Sequence, residues 1–287
     1  VTIPVNDLKT PFVGSDTGAL RAILVAPPSP ALAAGQPVHG ESHPIVERAC
    51  EQFGVFTNRL AVAGVSCGAL EEGGAAQTLC ADLAVVFADG AFLMRPSDLR
   101  RRGEIIAVEA ALARAGVPIL GRIEAPGLLD GGDVLRAGDT LYIGVARQRR
   151  AEVGIPAFVH GNALGREQLV AYARERQWRV VEVPMNADVL RLRSVASLLD
   201  AETLVYAPGV IDGSVLSGLK LIEAPRGEDY GAGVLTLGPR RVLANLRFRQ
   251  TTPLLRKAKI AVESIDLWEF GKLGITPSLL ALVLKRE

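Results

Sequence analysis

Leu128-Leu129-Asp130-Gly131-Gly132-Asp133-Val134-Leu135 sets two acids around a glycine pair and runs at once into apolar residues. A Gly-Asp turn pair, Gly138-Asp139, then leads into a second apolar run, Leu141-Tyr142-Ile143-Gly144-Val145. Glycine reaches backbone conformations closed to other residues and lets a partner approach closely. A strand that carries Gly-Gly beside a carboxylate therefore reads as the floor of a site. The same residues also read as the polar mouth of a hairpin.

Outward from this stretch the pattern recurs. Apolar runs pair across Ala88-Asp89-Gly90 (Asp82–Val86 with Ala91–Met94), a strong hairpin signal. They pair again across Asp200-Ala201 (Val195–Leu199 with Thr203–Tyr206) and across Gly238-Pro239 (Val234–Leu237 with Val242–Leu246). Helices are predicted at Arg100–Ala115, closed by Gly116, at Gly165–Gln177, around Val210–Gly218 and at Thr252–Lys257. Short edge strands are predicted at Ile119–Ile123, Arg179–Val183, Leu219–Ile222 and Lys259–Ile265. Before the first hairpin come a buried-type strand, Ala19–Ala26, a helix from Pro44 to about Ala63 with Pro44 as its first-turn proline, and a short strand, Val65–Leu70. The closing run Ile275–Leu284 can join the opening strand as a fifth unit. Such recurrence signals a repeat architecture, and no glycine spacing of a nucleotide fold accompanies it. A closed ring of ββαβ units around a central channel fits best, with Asp82, Asp130 and Asp133 at the strand ends that line the channel.

Bulk properties exclude several classes. Lys plus Arg number 32 against 31 Asp plus Glu, so no global field attracts nucleic acid or acidic lipid. Three cysteines, Cys50, Cys67 and Cys80, with no CxxC, argue against a disulfide framework and against a zinc site. No apolar run reaches the ~18 residues of a membrane span, and the opening Val1-Thr2-Ile3-Pro4-Val5 lacks the form of a signal peptide. The expectation is one domain over residues 1–287, cytoplasmic, with no metal and no cofactor.

Several segments together resemble a known family. Leu129–Val134 resembles the hallmark of the pentein, or guanidino-group-modifying, superfamily. Phe92-Leu93-Met94-Arg95-Pro96 followed by Arg101-Arg102-Gly103-Glu104 looks like the RP…RRxE segment of dimethylarginine dimethylaminohydrolases. Leu190–Ser197 is similar to their LHLKS-type strand, Glu228–Ala232 to their EAYAAN segment, and Gly274–Ser278 to their C-terminal GTC segment. The five lie collinear over nearly the whole chain. The resemblance implies a five-bladed α/β propeller, which agrees with the repeats.

The chemistry it implies is demanding. A resonance-stabilised guanidinium carbon is a poor electrophile, so hydrolysis needs a thiolate nucleophile. A histidine protonates the leaving amine and activates water. Carboxylates hold the guanidinium, one acid orients the histidine, and arginines hold the substrate's carboxylate. This sequence departs at the decisive places. Pro277 stands where the family has its cysteine, or Ser278 if the register slips by one. Arg191 replaces the histidine. Leu79-Cys80-Ala81-Asp82 replaces Phe-Val-Glu-Asp, so only Asp82 of two acids remains. The loop after the second hairpin reads Arg147-Gln148-Arg149, and Gly233 replaces an asparagine. What survives as a candidate ligand-binding set is Asp82, Asp130, Asp133, Arg101, Arg102 and Arg147. No confident catalytic residue is left, and Cys80 or Ser278 could serve only as a non-standard nucleophile.

The other chemical residues read mostly as structural. His39 and His43 fall in the opening loop and His160 in a surface loop, an insertion relative to the family. Cys50 and Cys67 read as core, and Cys80 shares a strand face with Asp82. Arg191 reads as pointing inward, a guanidinium paired with Asp130 and within reach of Asp82, which would fill the cavity from within. The alternative places Arg191 and Arg193 on a solvent-facing strand edge. The favoured function is a non-catalytic homologue that binds a small guanidino or amino-acid ligand or is structural, with no nucleic acid and no membrane. One alternative is an active hydrolase or amidinotransferase of arginine-like compounds. Another is an interaction subunit, homodimeric or with a protein partner, using Leu279–Leu284 as its apolar face.

Overall fold

The computed structural model describes residues 5, 8–38, 40–70, 78–147 and 158–287. In chain order its elements are β1 (Leu20–Val25), α1 (Val46–Val62), β2 (Ser66–Ala69), β3 (Ala84–Val86), β4 (Ala91–Leu93), α2 (Glu104–Arg114) and β5 (Ile119–Arg122). There follow β6 (Val134–Ala137), β7 (Thr140–Ala146), α3 (Ala163–Glu175), β8 (Arg179–Met185), a single helical turn α4 (Leu192–Val195), β9 (Ala196–Leu198), β10 (Thr203–Tyr206) and β11 (Lys220–Glu223). The chain ends through β12 (Leu235–Gly238), β13 (Arg241–Asn245), α5 (Thr251–Lys257), β14 (Ala261–Ile265), α6 (Trp268–Gly271) and β15 (Leu282–Arg286).

These strands form five sheets of three. In each, a middle strand has an antiparallel neighbour on one side and a parallel neighbour on the other. The hairpin turns fall where the Gly-Asp, Asp-Gly and related pairs place them. Each edge strand that follows a crossover pairs back in parallel on the hairpin before it, as β5 does on β4. The first sheet draws on both ends of the chain: β15 runs antiparallel to β1, with Ile23 opposite Val283. The apolar run Leu279–Leu284 is thereby buried apart from the half-buried Val283, so it is a closing strand and no exposed docking face. β3, β6, β9, β12 and β15, one outer strand from each sheet, all line a single cavity.

Helix α1 shows why the core forms where it does. Ala49, Phe53, Phe56 and Leu60 recur at helical spacing and make its buried stripe, and Gly64 at φ +80 ends it. Its start has no capping side chain of its own. The Ile45 amide instead donates to Glu269 Oε2 at 2.7 Å, and the Glu269 amide donates to Gln52 Oε1 at 3.0 Å. Helix α1 is thus tied to α6 at the far end of the sequence. Pro44 lies just ahead of the helix, and Cys50 is exposed on the outer face. The expected core cysteine is displaced because Ala49 and Phe53 already fill the inward stripe.

Other expectations are also corrected. The segment around Val210–Gly218 is a loop with one 3₁₀ turn, Gly213–Val215. There Asp212 Oδ1 accepts from the Ser214 amide and hydroxyl, a local turn that competes with a helix, and Gly209 and Gly218 sit at positive φ. Cys80–Asp82 and Gly131–Asp133 are 3₁₀ turns rather than strand, each leading into a hairpin. Arg191 precedes the helical turn α4 instead of lying on a strand. His39, the loop Glu71–Ala76, Gln148, Arg149 and Arg150 lie outside the described residues. Among the described residues no helix is long and apolar enough to cross a membrane.

The glycine pair is required by contact, because the two 3₁₀ turns press on each other. A Cβ on Gly131 would sit 2.3 Å from the Ala81 carbonyl oxygen, and one on Gly132 would sit 2.5 Å from Asp82 Oδ1. Neither backbone can yield without breaking the hairpin behind it. Gly131→Ala is expected to destabilise the fold by about 2–4 kcal/mol, in the upper range for overpacking. Gly54→Ala, whose Cβ would meet nothing on helix α1, should by comparison leave the urea midpoint unchanged or raised.

Candidate functional site

Four loops, each just ahead of an element that opens or feeds a sheet, converge on one buried carboxylate. Asp82 ends the turn before β3, Arg101 lies in the 3₁₀ turn Leu99–Arg101 before α2, Gly132 lies in the turn before β6, and Arg191 stands before α4. Arg101 Nη1 donates to Asp82 Oδ2 at 2.6 Å. Arg191 Nε donates to Asp82 Oδ1 at 3.1 Å, and the Gly132 amide donates to the same oxygen at 3.1 Å. Both guanidiniums have a second acid: Arg191 Nη2 lies 2.9 Å from Asp130 Oδ1, and Arg101 Nη2 lies 3.0 Å from Glu104 Oε2. Arg191 Nη1 donates to the Leu190 and Val159 carbonyls. Asp130 is held from its other side by the Ser97 amide and hydroxyl. Asp133 Oδ1 accepts from the Leu192 amide at 2.9 Å, which ties the third hairpin's approach to the second.

All of these charged side chains are buried, and Arg191 is only 3% exposed. A charge taken out of water costs several kcal/mol unless it is paired and hydrogen-bonded, so the electrostatic balance decides the protonation states. Burial alone would raise Asp82, but the Arg191 and Arg101 guanidiniums on either side outweigh it and hold the carboxyl below its ordinary range. Asp130 goes the other way. Burial raises it to about 6, Arg191 opposes, and the Asp82 and Asp133 carboxylates add to the rise. For Arg191 burial favours neutrality, but Asp130, Asp82 and Asp133 raise its pKa well above the ordinary arginine range. It is a permanent cation that cannot donate or take a proton in chemistry near neutral pH.

The predicted site residues are therefore separated by the structure. Asp82, Asp130, Arg101 and Arg191 come together, with Asp133 beside them. Arg101 is spoken for by two acids and is not free to hold a substrate carboxylate. Among the described residues the Arg102 side chain donates to the Pro96 carbonyl, at 3.4 Å. Arg147 lies outside the cluster, with Nη2 3.4 Å from Asp212 Oδ2 and half of its side chain exposed. Cys80 is fully buried, and burial pushes its thiol far up; Arg101 opposes, while Glu104 and Asp82 add to the shift. Ser278 Oγ donates to the Arg193 carbonyl at 2.7 Å and lies 3.0 Å from Thr276 Oγ1, with no histidine or carboxylate partner among the described residues. Gly233 admits no side chain, since a Cβ would lie 2.5 Å from the Ser194 carbonyl oxygen.

His160 is the residue that sequence reasoning misplaced. It lies inside, Nδ1 3.7 Å from Asp133 Oδ2 and Nε2 3.4 Å from the Ala187 carbonyl. Asn162 caps α3 by accepting from the Gly165 amide and also accepts from the Leu128 amide, so the cap is locked to the Leu128–Leu135 stretch. Gly161 and Gly165 press against the Leu128 carbonyl, leaving no room for a Cβ at either position. The Asn-x-x-Gly spacing was the available signal. His43 is exposed, with Nδ1 3.0 Å from the Ala33 carbonyl. Above Arg191 a cavity of about 200 Å3 is lined mostly by apolar side chains, among them Leu32, Leu79, Phe158, Leu273 and Ile275. Among the described residues no cluster of metal-ligating side chains is present.

No family model matches the chain. The chain is 32% identical over 264 residues, 88% of its length and 93% of the relative's, to an N(G),N(G)-dimethylarginine dimethylaminohydrolase of Streptomyces coelicolor. The dimethylarginine dimethylaminohydrolase of Pseudomonas aeruginosa, solved as a variant complexed with citrulline, superposes with a TM-score of 0.77 at 23% identity, over 93% of this chain and all of that one. An amidinotransferase from Microseira wollei, in the saxitoxin biosynthetic pathway, superposes at 0.79 with 15% identity, over 99% and 98% of the two chains.

The opposite shifts of the two aspartates give a pH signature. Asp130 has a folded pKa of about 6 against an ordinary 3.8, so the folded chain takes up a proton that the unfolded chain leaves in water. Its contribution makes stability rise as pH falls from about 6 toward 3.8, and Asp130→Asn should remove that share of the slope. Asp82, held low, stabilises above the unfolded pKa and is lost only at more acidic pH. Urea midpoints measured from pH 4 to 8 on both proteins check the sign.

Proposed function

The chain belongs to the dimethylarginine dimethylaminohydrolase family, within the pentein superfamily of guanidino-group-modifying proteins, and from that premise we propose that it no longer hydrolyses guanidines because its own Arg191 fills the guanidinium site. One observation carries this reading: the Arg191 guanidinium is held between Asp82 and Asp130 and shut off from water. A substrate guanidinium needs such a pair of carboxylates, and a second cation in the same place would have no anion left to meet. We read the five sheets as the blades of one five-bladed α/β propeller over residues 1–287, with this cluster at one end of its central channel.

The missing chemistry supports the same reading. Attack on a guanidinium carbon needs a thiolate or an activated hydroxyl close to it. Pro277 supplies no nucleophile, the buried Cys80 thiol keeps its proton, and Ser278 has no base. Arg191, replacing the acid–base group, keeps its charge. The protein is on this view a non-catalytic homologue, structural or binding a small ligand in the apolar cavity above Arg191.

Incubation with arginine, its methylated forms and agmatine should release no ureido product above the protein-free rate. Turnover that disappears in Cys80→Ser or Ser278→Ala would overturn the proposal. The occupancy itself has a separate test. Arg191→Gly should cost about 3–5 kcal/mol, since two buried carboxylates lose their partner. Guanidinium ion at low millimolar concentration should then raise the melting temperature of that variant by refilling the void, where sodium at equal ionic strength does not. Equal response to the two cations would show that Arg191 does not stand in for a ligand.

A further inference from the structure

A second cavity, of about 100 Å3, lies among the outer strands of the five sheets and has the reverse electrostatics. Arg136 from β6, Arg193 from α4 and Arg286 from β15 line it, against the single carboxylate of Asp16. In the Asp82 cluster each guanidinium has acids within 3.1 Å. Here, among the described residues, the Arg193 side chain makes one hydrogen bond, from Nη2 to the Ser278 carbonyl at 2.8 Å. That of Arg286 makes one, from Nη1 to the Gly18 carbonyl at 2.9 Å. Neither forms an ion pair with a described residue. Arg136 has Asp16 Oδ2 at 3.8 Å, and it also meets the Gly138 and Val13 carbonyls and the Trp178 and Phe87 rings.

Ser197 lines the same cavity, is 5% exposed, and has a buried hydroxyl with no hydrogen-bond partner among the described residues. Buried polar groups are nearly always satisfied, and buried charges are paired. Burial pushes Arg193 and Arg286 down to about 10, opposed by Asp82 and Asp16 in the first and by Asp16 in the second, and raises Asp16 to about 6 against the pull of Arg136, Arg286 and Arg193. Each shift marks a charge that its surroundings under-compensate. Two guanidiniums and a hydroxyl thus line one space, and among the described residues each guanidinium uses one nitrogen on a carbonyl while its remaining N–H groups and the Ser197 hydroxyl have no acceptor.

We propose that this cavity is an oxyanion site, sized for one tetrahedral anion such as inorganic phosphate, held by Arg193, Arg286 and Ser197 with Arg136 at its side. Guanidinium forks match the oxygens of such anions in pairs, and a hydroxyl donor completes the set. A cavity of this size has room for several waters, and so for a small tetrahedral anion. The single Asp16 charge limits affinity for a dianion without cancelling the positive excess.

Titration calorimetry of the full chain with phosphate and with sulfate, against chloride at matched ionic strength, tests this. A dissociation constant on the order of 0.1–1 mM is expected for either oxyanion. Ser197→Ala should weaken it about 10-fold or more, the loss of one hydrogen bond to a charged group, and Asp16→Asn should tighten it. Arg193→Met should abolish binding yet melt no lower than the parent in phosphate-free buffer, because it removes a buried charge that lacks a counter-ion. Should that variant fail to fold, the opposite signs expected for Ser197→Ala and Asp16→Asn still decide. Glycerol 3-phosphate binding through the same residues would identify the source as a phosphorylated metabolite; binding of phosphate and sulfate alone would identify the free ion. Oxyanion heats no larger than those of chloride, or affinities unchanged in both Ser197→Ala and Asp16→Asn, would overturn the proposal.

Discussion

One carboxylate, Asp82, holds the centre of this protein together. Its partners come from positions 19, 50 and 109 residues away along the chain, so three approaches to three different sheets meet on two oxygen atoms. An ion pair in such a place adds little net stability, because the desolvation of each charge nearly offsets their attraction. What it enforces is geometry. Any arrangement that leaves Arg191 or Arg101 buried without Asp82 is penalised by several kcal/mol, which excludes slipped registers that the apolar strands alone would tolerate.

The same constraint explains why the glycine pair is more than a family signature. Gly132 must let Asp82 Oδ1, Arg191 Cγ and a Leu279 methyl come within 3 Å of where a Cβ would be. A site built to receive a ligand needs close approach of backbone to that ligand. Here the close approach serves a side chain of the same molecule. Backbone shape alone therefore does not separate a site that is open from one that is filled; the residue at position 191 does.

Much of this was legible beforehand, for identifiable reasons. Hairpin turns carry local chemistry, so Asp89-Gly90 and Gly138-Asp139 located their strands without tertiary information. The convergence of Asp82, Asp130 and Arg191 came from the motif positions, since no local pattern links residues so far apart in the chain. Where sequence reading failed, the deciding force was non-local or competed at short range. Apolar periodicity around Val210–Gly218 suggested a helix, but the Asp212 side chain captured the Ser214 amide and positive-φ glycines bracketed the segment. Cys50 looked inward by its neighbours, yet Ala49 and Phe53 set the stripe one position away. His160 looked like loop surface, and only the packing of Gly161 and Gly165 on Leu128 carries it inside.

Arg191 and Arg193 stand two residues apart and face opposite electrostatic situations. The first is drawn to an acidic cluster of Asp82, Asp130 and Asp133 and opposes the rise of Asp130, which burial, aided by the Asp82 and Asp133 carboxylates, still holds at about 6. The second lies among cations, with its backbone carbonyl and one guanidinium nitrogen tied to Ser278. A nucleophile at the C-terminal motif would have to share this short span with both arginines. Pro277 has no amide hydrogen to give and Ser278 uses its hydroxyl to fix Arg193 in place, so the segment that the family resemblance marks for attack on a guanidine here positions a cation. The interior is thus polarised: acids are paired with arginines beside one cavity, while at the other, among the described residues, Arg193 and Arg286 have no ion-pair partner.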